Sequence, residues 1–414
     1  MYSEEDKKIL KSHVTNIDDD IYCITNLPPE VVAVLFAYVS RSPNTFKENL
    51  IKLIKSKDLD MGQLIATFQE QGLDYQQAKE RARSFHEKWV VGYGHGSVAE
   101  HAVAYVAMEN ISILSTKVIE DNRLCAFTEK STRYQVFDRN RYYKPKNLMA
   151  HPLGKVYEET CNFLFDTYCD LTPKMIEFVK KDFPKPDDWT EARYENTMKA
   201  KACDVIRYML PISTLTNLGM TINARNAEHA IRKLLSHPLE EMQYLGQRLK
   251  EEIQKIIPTL VKYADTNSYI KETNQAMSQL TETTLAPIKA KNKPVTIVNY
   301  DPDAENKVIA SILYPHSNLP YEEIIKQVGF MSKEQKDKVL DEFHQRMSKH
   351  DWPLRELEHL NYTFDILIDY GAFRDIQRHR ICTQTNQDAT IKHGYSMPRE
   401  IIEAGFEKEY QEFM

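Results

Sequence analysis

Arginine is the residue type in this sequence best suited to hold an anion, and it clusters although the formal net charge of the chain is −6. The densest cluster brings Arg374, Arg378, His379 and Arg380 within seven residues. A guanidinium group binds phosphate through two parallel hydrogen bonds, which the ammonium group of lysine cannot do. The cluster therefore predicts a site for an anionic ligand. The alternative is a solvated basic face whose arginines pair with nearby aspartates.

A second group of polar side chains follows Glu129 and consists of Ser131, Thr132, Arg133 and Tyr134. On an extended chain Ser131 and Arg133 point the same way, because side chains alternate between the two faces of a strand. A hydroxyl and a guanidinium together can bind a phosphate or the edge of a pyrimidine. The alternative is an ordinary polar strand or loop.

Histidines and a further arginine mark two other positions. His95 and His101 are six residues apart with Glu100 before the second, and this spacing does not match the H-E-x-x-H zinc motif. No metal site is therefore expected, and the alternative for each histidine is an ordinary hydrogen-bonding role. Arg207 lies in an apolar helical stretch, where a buried charge needs either a carboxylate or a ligand anion as its partner.

Glycine is scarce, with 12 glycines among 414 residues, against a usual share of roughly 7%. Neither the phosphate-binding pattern G-x-x-x-x-G-K-[ST] nor the dinucleotide pattern G-x-G-x-x-G occurs. The one cluster, Gly92, Gly94 and Gly96, flanks His95. It suits either a close approach of backbone to a ligand or a plain turn that opens a helix. Side chains would therefore have to hold most of any phosphate charge.

The composition is that of an ordinary globular protein, with 42% hydrophobic and 28% charged residues. The negative net charge gives no global field that would attract nucleic acid. No apolar run reaches the ~20 residues of a membrane span, and the acidic N-terminus has no apolar signal core. The six cysteines form no C-x-x-C pair, so reduced thiols in the cytoplasm are expected. We expect a small-molecule ligand, and neither nucleic acid nor a membrane as partner.

The periodicity of apolar residues predicts the elements that must position these side chains. Helices are predicted at 31–38, 45–56, 74–90, 155–181, 193–210, 221–257 and 308–313. Strands are predicted at 22–25, 103–113 and 295–300. The segment 97–100 has a capping-box arrangement and is predicted to start a helix. The polar stretch 265–294 is predicted to be a linker or a long exposed connection.

The sequence also carries an internal repeat. The order of strand, turn and helix at 21–38 recurs at 295–313. A Glu-His pair and an Arg-x-Cys tripeptide then follow in each copy, with 22 residues from the histidine to the arginine in the first copy and 21 in the second. These correspondences favour tandem duplication, with chance similarity of short matches as the alternative. We predict a first domain with an N-terminal extension at 1–264, a linker at 265–294 and a second, incomplete domain at 295–414.

In their order and spacing these motifs resemble the flavin-dependent thymidylate synthases. That family carries a His-x-x-x-x-Glu-His segment, an Arg-His-Arg triplet, a Ser-x-Arg-Tyr motif, and later an Arg before Leu-Pro and an Asn-x-Arg. The first copy carries most of this pattern, and the second carries only its N-terminal part. The matching positions are 95–101, Glu129, 131–134, 207–211 and 223–225 in the first copy, and 358–359 and 378–380 in the second.

Each copy departs from the family where the other copy matches it. The first copy has Asp-Asn-Arg at 121–123 in place of Arg-His-Arg, and the second has Asp-Ala-Thr-Ile at 388–391 in place of Ser-x-Arg-Tyr. A further family arginine, expected soon after Asn223, has no clean match. Either the two copies share one composite site, or both have lost catalysis and a nucleotide-binding scaffold remains.

The resemblance implies an α+β fold, with a mostly antiparallel sheet wrapped by long helices, here duplicated in tandem. It implies reductive methylation of dUMP to dTMP, with methylenetetrahydrofolate as the carbon donor, NADPH as the hydride source and FAD as the bound cofactor. The family is a homotetramer whose sites lie between subunits. A homo-oligomer, with a dimer of tandem chains standing in for the tetramer, is therefore expected.

The resemblance also implies roles for particular residues. The catalytic residues would be Arg133 and Arg207. The nucleotide substrate would be bound by Ser131, Arg133, Tyr134 and Arg207, and the flavin by His95, Glu129, Arg378, His379 and Arg380. Positive charge beside the pyrimidine carbonyls would stabilise negative charge as hydride arrives at the ring. No cysteine follows a proline, which counts against the folate-only synthases and their cysteine nucleophile.

Two other functions stay open on the sequence. One is a non-catalytic flavin or nucleotide binder with the same fold. The other is an interaction protein whose basic patch binds an acidic partner or RNA. The latter predicts a stripe of lysine and arginine with interleaved aromatic residues, whereas the chain shows only local patches.

Overall fold

The protein, described by a computed structural model, forms two compact units. Unit 1 comprises Met1–Ala286 and Tyr370–Met414, and unit 2 comprises Pro287–Asp369. These boundaries differ from the predicted domains, because the C-terminal segment folds with the N-terminal part of the chain. The residues described are 2–39, 42–55, 97–285 and 293–414, without the side chains of 38 and 39.

The fold is α+β, with small antiparallel sheets and long helices, and this part of the prediction is confirmed. The strands are β1 (Val103–Ser112), β2 (Ala126–Glu129), β3 (Leu215–Asn223), β4 (Val295–Tyr300) and β5 (Tyr362–Ile366). The helices, in chain order, are α1 (Glu4–His13), α2 (Pro29–Val39), α3 (Phe46–Lys55), α4 (Ile113–Glu120), α5 (Lys146–Met149), α6 (Leu153–Asp182), α7 (Glu191–Ile206), α8 (Ala224–Leu235), α9 (Glu240–Ile253), α10 (Ser268–Thr284), α11 (Ala304–Leu313), α12 (Tyr321–Gly329), α13 (Lys333–His344), α14 (Tyr370–Gln377), α15 (Arg399–Glu403) and α16 (Glu407–Phe413). Across the described residues, no helix combines the length and apolar character needed to cross a membrane.

Unit 1 is built on a three-stranded antiparallel sheet with the order β1–β3–β2. Val103 lies opposite Asn223, and Ala126 lies opposite Thr221. One face of the sheet is covered, because every second residue of β3 is buried. The buried residues of β3 are Thr216, Leu218, Met220 and Ile222.

Two hydrophobic cores hold unit 1 together. The first lies between the covered face of the sheet and the apolar stripes of α2, α8 and α9. The second lies between α6 and α7 and includes Phe165, Tyr168 and Met175. Ile401 of α15 and Tyr410 of α16 are fully buried in this second core. The C-terminal segment is therefore an integral part of unit 1.

Unit 2 has its own two-stranded antiparallel sheet, in which β4 pairs with β5, and a small core between its helices. Ile309, Ala310, Ile324 and Val328 form that core. In the second copy a 3-10 turn (Arg355–His359), strand β5 and helix α14 precede the Arg-His-Arg triplet. In the first copy a 3-10 turn (Val98–Glu100), strand β1 and helix α4 follow one another in the same order. This shared order supports the tandem duplication, which stays a prediction.

Most of the predicted elements are confirmed. The helices predicted at 31–38, 45–56, 155–181, 193–210 and 308–313 form, as do the strands at 103–113 and 295–300. The helix predicted at 74–90 lies outside the described residues.

Four predicted elements are wrong or incomplete. The strand at 22–25 is reduced to a single bridge between Val14 and Ile24. Ser97 caps no α-helix, since only a 3-10 turn follows it. The helix predicted from 221 starts later, because Asn223 ends β3 and its side chain accepts a hydrogen bond from the Asn226 N–H to cap α8. The predicted linker at 265–294 is largely helix α10, which has no buried residue.

Gly246 marks the closest approach of α8 and α9. A Cβ atom at this position would lie 2.9 Å from Leu234 Cβ and 3.0 Å from Leu235 N. Because the two helices would have to move apart, Gly246→Ala is expected to lower the free energy of unfolding by about 1–3 kcal/mol. Denaturant unfolding measures this change.

Gly329, at the end of α12, provides the matched control. A Cβ there would meet nothing within 4 Å, so Gly329→Ala is expected to leave stability unchanged or to raise it by about 0.4–1 kcal/mol. Equal destabilisation by both substitutions would contradict the close packing of α8 on α9.

Candidate functional site

The site begins where α4 and α14 contact each other within unit 1. The Tyr370 hydroxyl donates a hydrogen bond to the Ile113 carbonyl at 3.2 Å, and Gln377 Nε2 donates to the Lys117 carbonyl at 2.6 Å. Gln377 is the last residue of α14 and is buried. The Arg-His-Arg triplet at 378–380 therefore leaves α14 beside α4.

A shielded ion pair ties α14 to the end of β2. Arg374 Nη2 donates to Glu129 Oε2 at 2.7 Å, and its Nη1 donates to Thr132 Oγ1 at 3.2 Å. The Arg374 and Glu129 side chains are only 18% and 13% exposed, so water screens the pair weakly. Glu129 therefore holds Arg374 in place, and its predicted role in flavin binding stays a prediction.

A second network joins α7 to α14 through alternating charges. Both Nε and Nη2 of Arg133 donate to the Asp204 carboxylate at 2.7 Å, in a bidentate pair. Arg207 Nη2 lies 3.3 Å from Asp375 Oδ2, and Arg207 Nε lies 3.6 Å from Asp204 Oδ1. Arg207 is 11% exposed. Of the two partners that the sequence left open for Arg207, the structure shows carboxylates.

The segment after β2 is a turn, so the prediction of an extended chain at Ser131 and Arg133 is wrong. β2 ends at Glu129, and Ser131 Oγ accepts a hydrogen bond from the Arg133 N–H at 3.1 Å. Such a short side-chain to backbone bond favours a turn. Tyr134 follows with its side chain exposed. The Ser131 hydroxyl is therefore held at the backbone of Arg133, while the Arg133 guanidinium is held by Asp204.

The Arg-His-Arg triplet presents two arginines without carboxylate partners. The Arg380 guanidinium lies 5.0 Å from the centroid of the Phe127 ring on β2, a cation–π contact. Arg378 and His379 are exposed. In the described part of the chain, neither Arg378 nor Arg380 forms an ion pair. These two arginines are the ones placed to receive an anion.

Glu120 is a buried residue of the site that the sequence interpretation missed. It is the last residue of α4 and is 9% exposed. Burial and, to a smaller extent, the neighbouring Glu129 carboxylate raise the pKa of Glu120 to about 7 against the opposing effect of Arg380, Arg374 and Arg378. The available signal was helical spacing, because Glu120 lies seven residues after Ile113 and four after Thr116 on the buried side of α4.

Cys125 lies near Arg380 but is not activated. Burial raises the pKa of the Cys125 thiol to about 11, and Arg380 offsets only part of this shift. The thiolate is the nucleophilic form of cysteine. Cys125 is therefore a poor nucleophile near neutral pH.

The two histidines of the sequence motif have different outcomes. His95 and the glycine cluster around it lie outside the described residues. The His101 ring contacts Phe36 edge-on, with 4.7 Å between ring centroids, and Glu100 pairs with Arg225. These contacts give His101 a packing role. In the ranges that the structure covers, no three histidine, cysteine or acidic side chains are grouped as metal ligands.

Comparisons with known proteins agree on one family. Residues 31–259 match the family model described as "Thymidylate synthase complementing protein". The chain is 34% identical over 424 residues to a UPF0159 protein of Chlamydia pneumoniae, with 99% of this chain and 79% of that protein covered. It is 25% identical over 211 residues to a flavin-dependent thymidylate synthase of Sulfolobus acidocaldarius, covering 49% of this chain and 69% of that protein.

A solved structure shows a partial overlap with the chain. It is the flavin-dependent thymidylate synthase of Helicobacter pylori complexed with FAD and dUMP. The overlap covers 55% of this chain and 92% of that chain, with 16% identity and a TM-score of 0.32.

The raised pKa of Glu120 predicts a pH-dependent cost to stability. The pKa of Glu120 in the folded protein exceeds its unfolded value of about 4.3. The contribution of Glu120 to the free energy of unfolding is therefore fully present below pH 4.3 and decreases as the pH rises towards 7. Between pH 4.5 and pH 8 this effect should lower the free energy of unfolding of the wild type by about 3 kcal/mol. We expect this decrease to be absent in Glu120→Gln. Urea unfolding of both proteins across this range measures the difference.

Glu109→Gln is the control, since Glu109 is exposed on β1. It should keep the pH dependence of the wild type. The assignment fails if Glu120→Gln and the wild type lose stability in parallel as pH rises.

Proposed function

The chain belongs to the thymidylate synthase complementing protein family, and from this we propose that it is a flavin-dependent thymidylate synthase that methylates dUMP to dTMP. Methylenetetrahydrofolate would supply the carbon and NADPH the hydride. One observation carries the proposal. The sequence divides the family motifs between its two copies. In unit 1 residues from both copies lie together, and the ion pairs Arg374–Glu129 and Arg207–Asp375 join them.

The triplet at 378–380 fits the diphosphate of FAD. Arg378 and Arg380 have no carboxylate partner among the described residues, and a guanidinium binds phosphate oxygens in bidentate fashion. His379 lies exposed between them and can donate a further hydrogen bond. When bound, FAD supplies the redox chemistry. The protein's part is to hold the anionic cofactor against β2, where Phe127 already orients Arg380.

Ser131, Arg133, Tyr134 and Arg207 fit a nucleotide substrate. Arg133 uses Nε and Nη2 for Asp204 and is 47% exposed, so its remaining N–H groups can reach a phosphate. Ser131 and Tyr134 would add hydroxyl groups beside it. Arg207 is held by two carboxylates and contributes a fixed positive charge, which would stabilise negative charge developing on the pyrimidine.

The ion pairs favour a built site over a general basic patch. Arg374, Arg133 and Arg207 each contact a carboxylate, so much of their charge is neutralised within unit 1. A surface that recruits acidic partners would leave most of its cations free, whereas of the five arginines of this site only Arg378 and Arg380 lack a carboxylate partner among the described residues. We therefore favour the enzyme over the interaction protein. A non-catalytic flavin binder is the alternative that the first experiment below excludes or supports.

We further propose that the chain acts in the cytoplasm as a homo-oligomer, with a dimer standing in for a tetramer of single domains. Support comes from unit 2, where both strands of its sheet expose apolar side chains, and contiguous apolar surface marks protein interfaces. The exposed residues are Val295, Ile297, Val298, Tyr300, Tyr362, Phe364 and Ile366.

Rescue of a bacterial strain that requires thymidine tests the proposed activity. The wild-type chain is expected to restore growth without thymidine. The paired substitution Ser131→Ala and Arg380→Ala is expected to abolish rescue and to raise the FAD dissociation constant by roughly 10- to 100-fold. A hydrogen bond to a charged group contributes about 1.5–3 kcal/mol.

A matched pair in unit 2 provides the control. Arg346 and Ser348 are exposed, so Arg346→Ala with Ser348→Ala should rescue as well as the wild type. Absence of rescue by a wild-type chain that binds FAD would contradict the enzyme and favour the flavin binder. Unchanged FAD and dUMP binding in the Ser131 and Arg380 variant would contradict the composite site.

Light scattering tests the assembly. We expect a dimer, and we expect Phe364→Lys on β5 to shift the equilibrium towards single chains, because a charge is introduced into apolar contact surface. Gln327→Lys, at an exposed position of α12, adds the same charge away from the sheet and should leave the dimer intact. A wild-type chain that stays single at high concentration would contradict the proposal.

A further inference from the structure

We propose that Glu120 takes up a proton when an anion binds to Arg378 and Arg380, so that ligand binding and protonation are coupled at this site. The inference deepens the proposed function and rests on it for the identity of the anion, which is FAD. Its physical basis is a largely buried glutamate near two arginines that form no ion pair with any described residue.

The geometry sets Glu120 apart from the other acidic residues of the site. Glu129, Asp204 and Asp375 are all engaged in ion pairs with arginine. The Glu120 side chain is only 9% exposed at the end of α4, and its carboxyl makes no hydrogen bond or ion pair with any residue that the structure describes. An unpaired carboxyl in this position is costly when ionised.

The charged groups around Glu120 come from several elements. Arg374 of α14 is occupied by Glu129 of β2, so these two charges largely cancel each other. Asp121, next in the chain, is paired with Lys233 of α8. Arg378 and Arg380 follow α14 and remain unneutralised.

The neutral and distant groups do not compete for the proton. Tyr370 of α14 and Cys125 are both half-buried and have a pKa raised by burial, which keeps them neutral near pH 7. Glu241 of α9 also faces α4, where it accepts hydrogen bonds from the Ser112 N–H and hydroxyl. His237 lies in the loop before α9, and burial lowers its pKa. Arg378 and Arg380 are therefore the charges that a ligand can alter.

An arriving diphosphate changes the balance in one direction. Its negative charge repels the Glu120 carboxylate, and it draws the two guanidinium groups into hydrogen bonds of their own. Both effects favour the protonated carboxyl. By linkage, binding must then take up protons and weaken as pH rises.

Calorimetry measures the proton directly. FAD is titrated into the full chain, freed of bound flavin, in two buffers of different ionisation enthalpy. If FAD binding raises the pKa of Glu120 by about one, each chain would take up about half a proton at about pH 7.5. FAD is a suitable probe because its diphosphate stays ionised throughout this range.

Substitution of Glu120 separates coupling from simple damage. Glu120→Gln mimics the protonated form, so its proton uptake should be near zero. It should also bind FAD up to about tenfold more tightly than the wild type at about pH 8.5. Damage to the fold would weaken binding, so tighter binding cannot arise from it. Glu109→Gln is the control and should behave as the wild type.

The outcomes distinguish this inference from the proposed function. Uptake that is lost in Glu120→Gln, with tighter binding at high pH, supports the coupling. Uptake that persists in this variant, or weaker binding at pH 8.5 by a folded variant, overturns it. In the wild type alone, uptake must peak near pH 7.5, and a flat profile also overturns it. A chain that binds no FAD contradicts the proposed function and this inference together, whereas binding without proton uptake contradicts only the coupling.

Discussion

The ion pair between Arg374 and Glu129 is the contact on which the site depends. It joins two segments that are 245 residues apart in the chain, and it is largely shielded from water. Thr132 adds a hydrogen bond to the same guanidinium. With α14 fixed in this way, the triplet at 378–380 emerges beside α4 and β2. Without it, neither the cation–π contact of Arg380 nor the surroundings of Glu120 would be defined.

The remaining charges of the site follow a consistent arrangement. Arginines and carboxylates alternate from Arg133 through Asp204 and Arg207 to Asp375, so each charge of this network has an opposite neighbour. Such networks are costly to bury and are specific in geometry. They leave the cations that follow α14 unneutralised. The chain thus concentrates positive charge at one place although its net charge is −6.

Motif order made much of this arrangement predictable. The complementary losses in the two copies left a shared site and a loss of catalysis both open. The structure places Arg374 against Glu129 and Asp375 against Arg207, and the shared site stays a prediction. Long periodic helices such as α6 were predicted almost to their ends. The partner of Arg374 was not predictable, because a pairing across hundreds of residues leaves no local pattern. The turn at Ser131 and the cap at Asn223 were missed because short side-chain hydrogen bonds override strand and helix periodicity. Glu120 was missed because a buried helix face is recognised by its apolar residues, and a charged residue on that face is predicted to be exposed.

The division of unit 1 into two stretches of sequence has a consequence for synthesis of the protein. Tyr410 and Ile401 are fully buried against the helices that precede unit 2 in the chain. A ribosome therefore completes α6 and α7 long before it makes the residues that cover them. Until the last few helical turns emerge, that surface exposes apolar side chains, and such exposed surface is prone to aggregation. The nascent chain must keep its second core open while unit 2 is translated, and that core closes only after α15 and α16 have emerged.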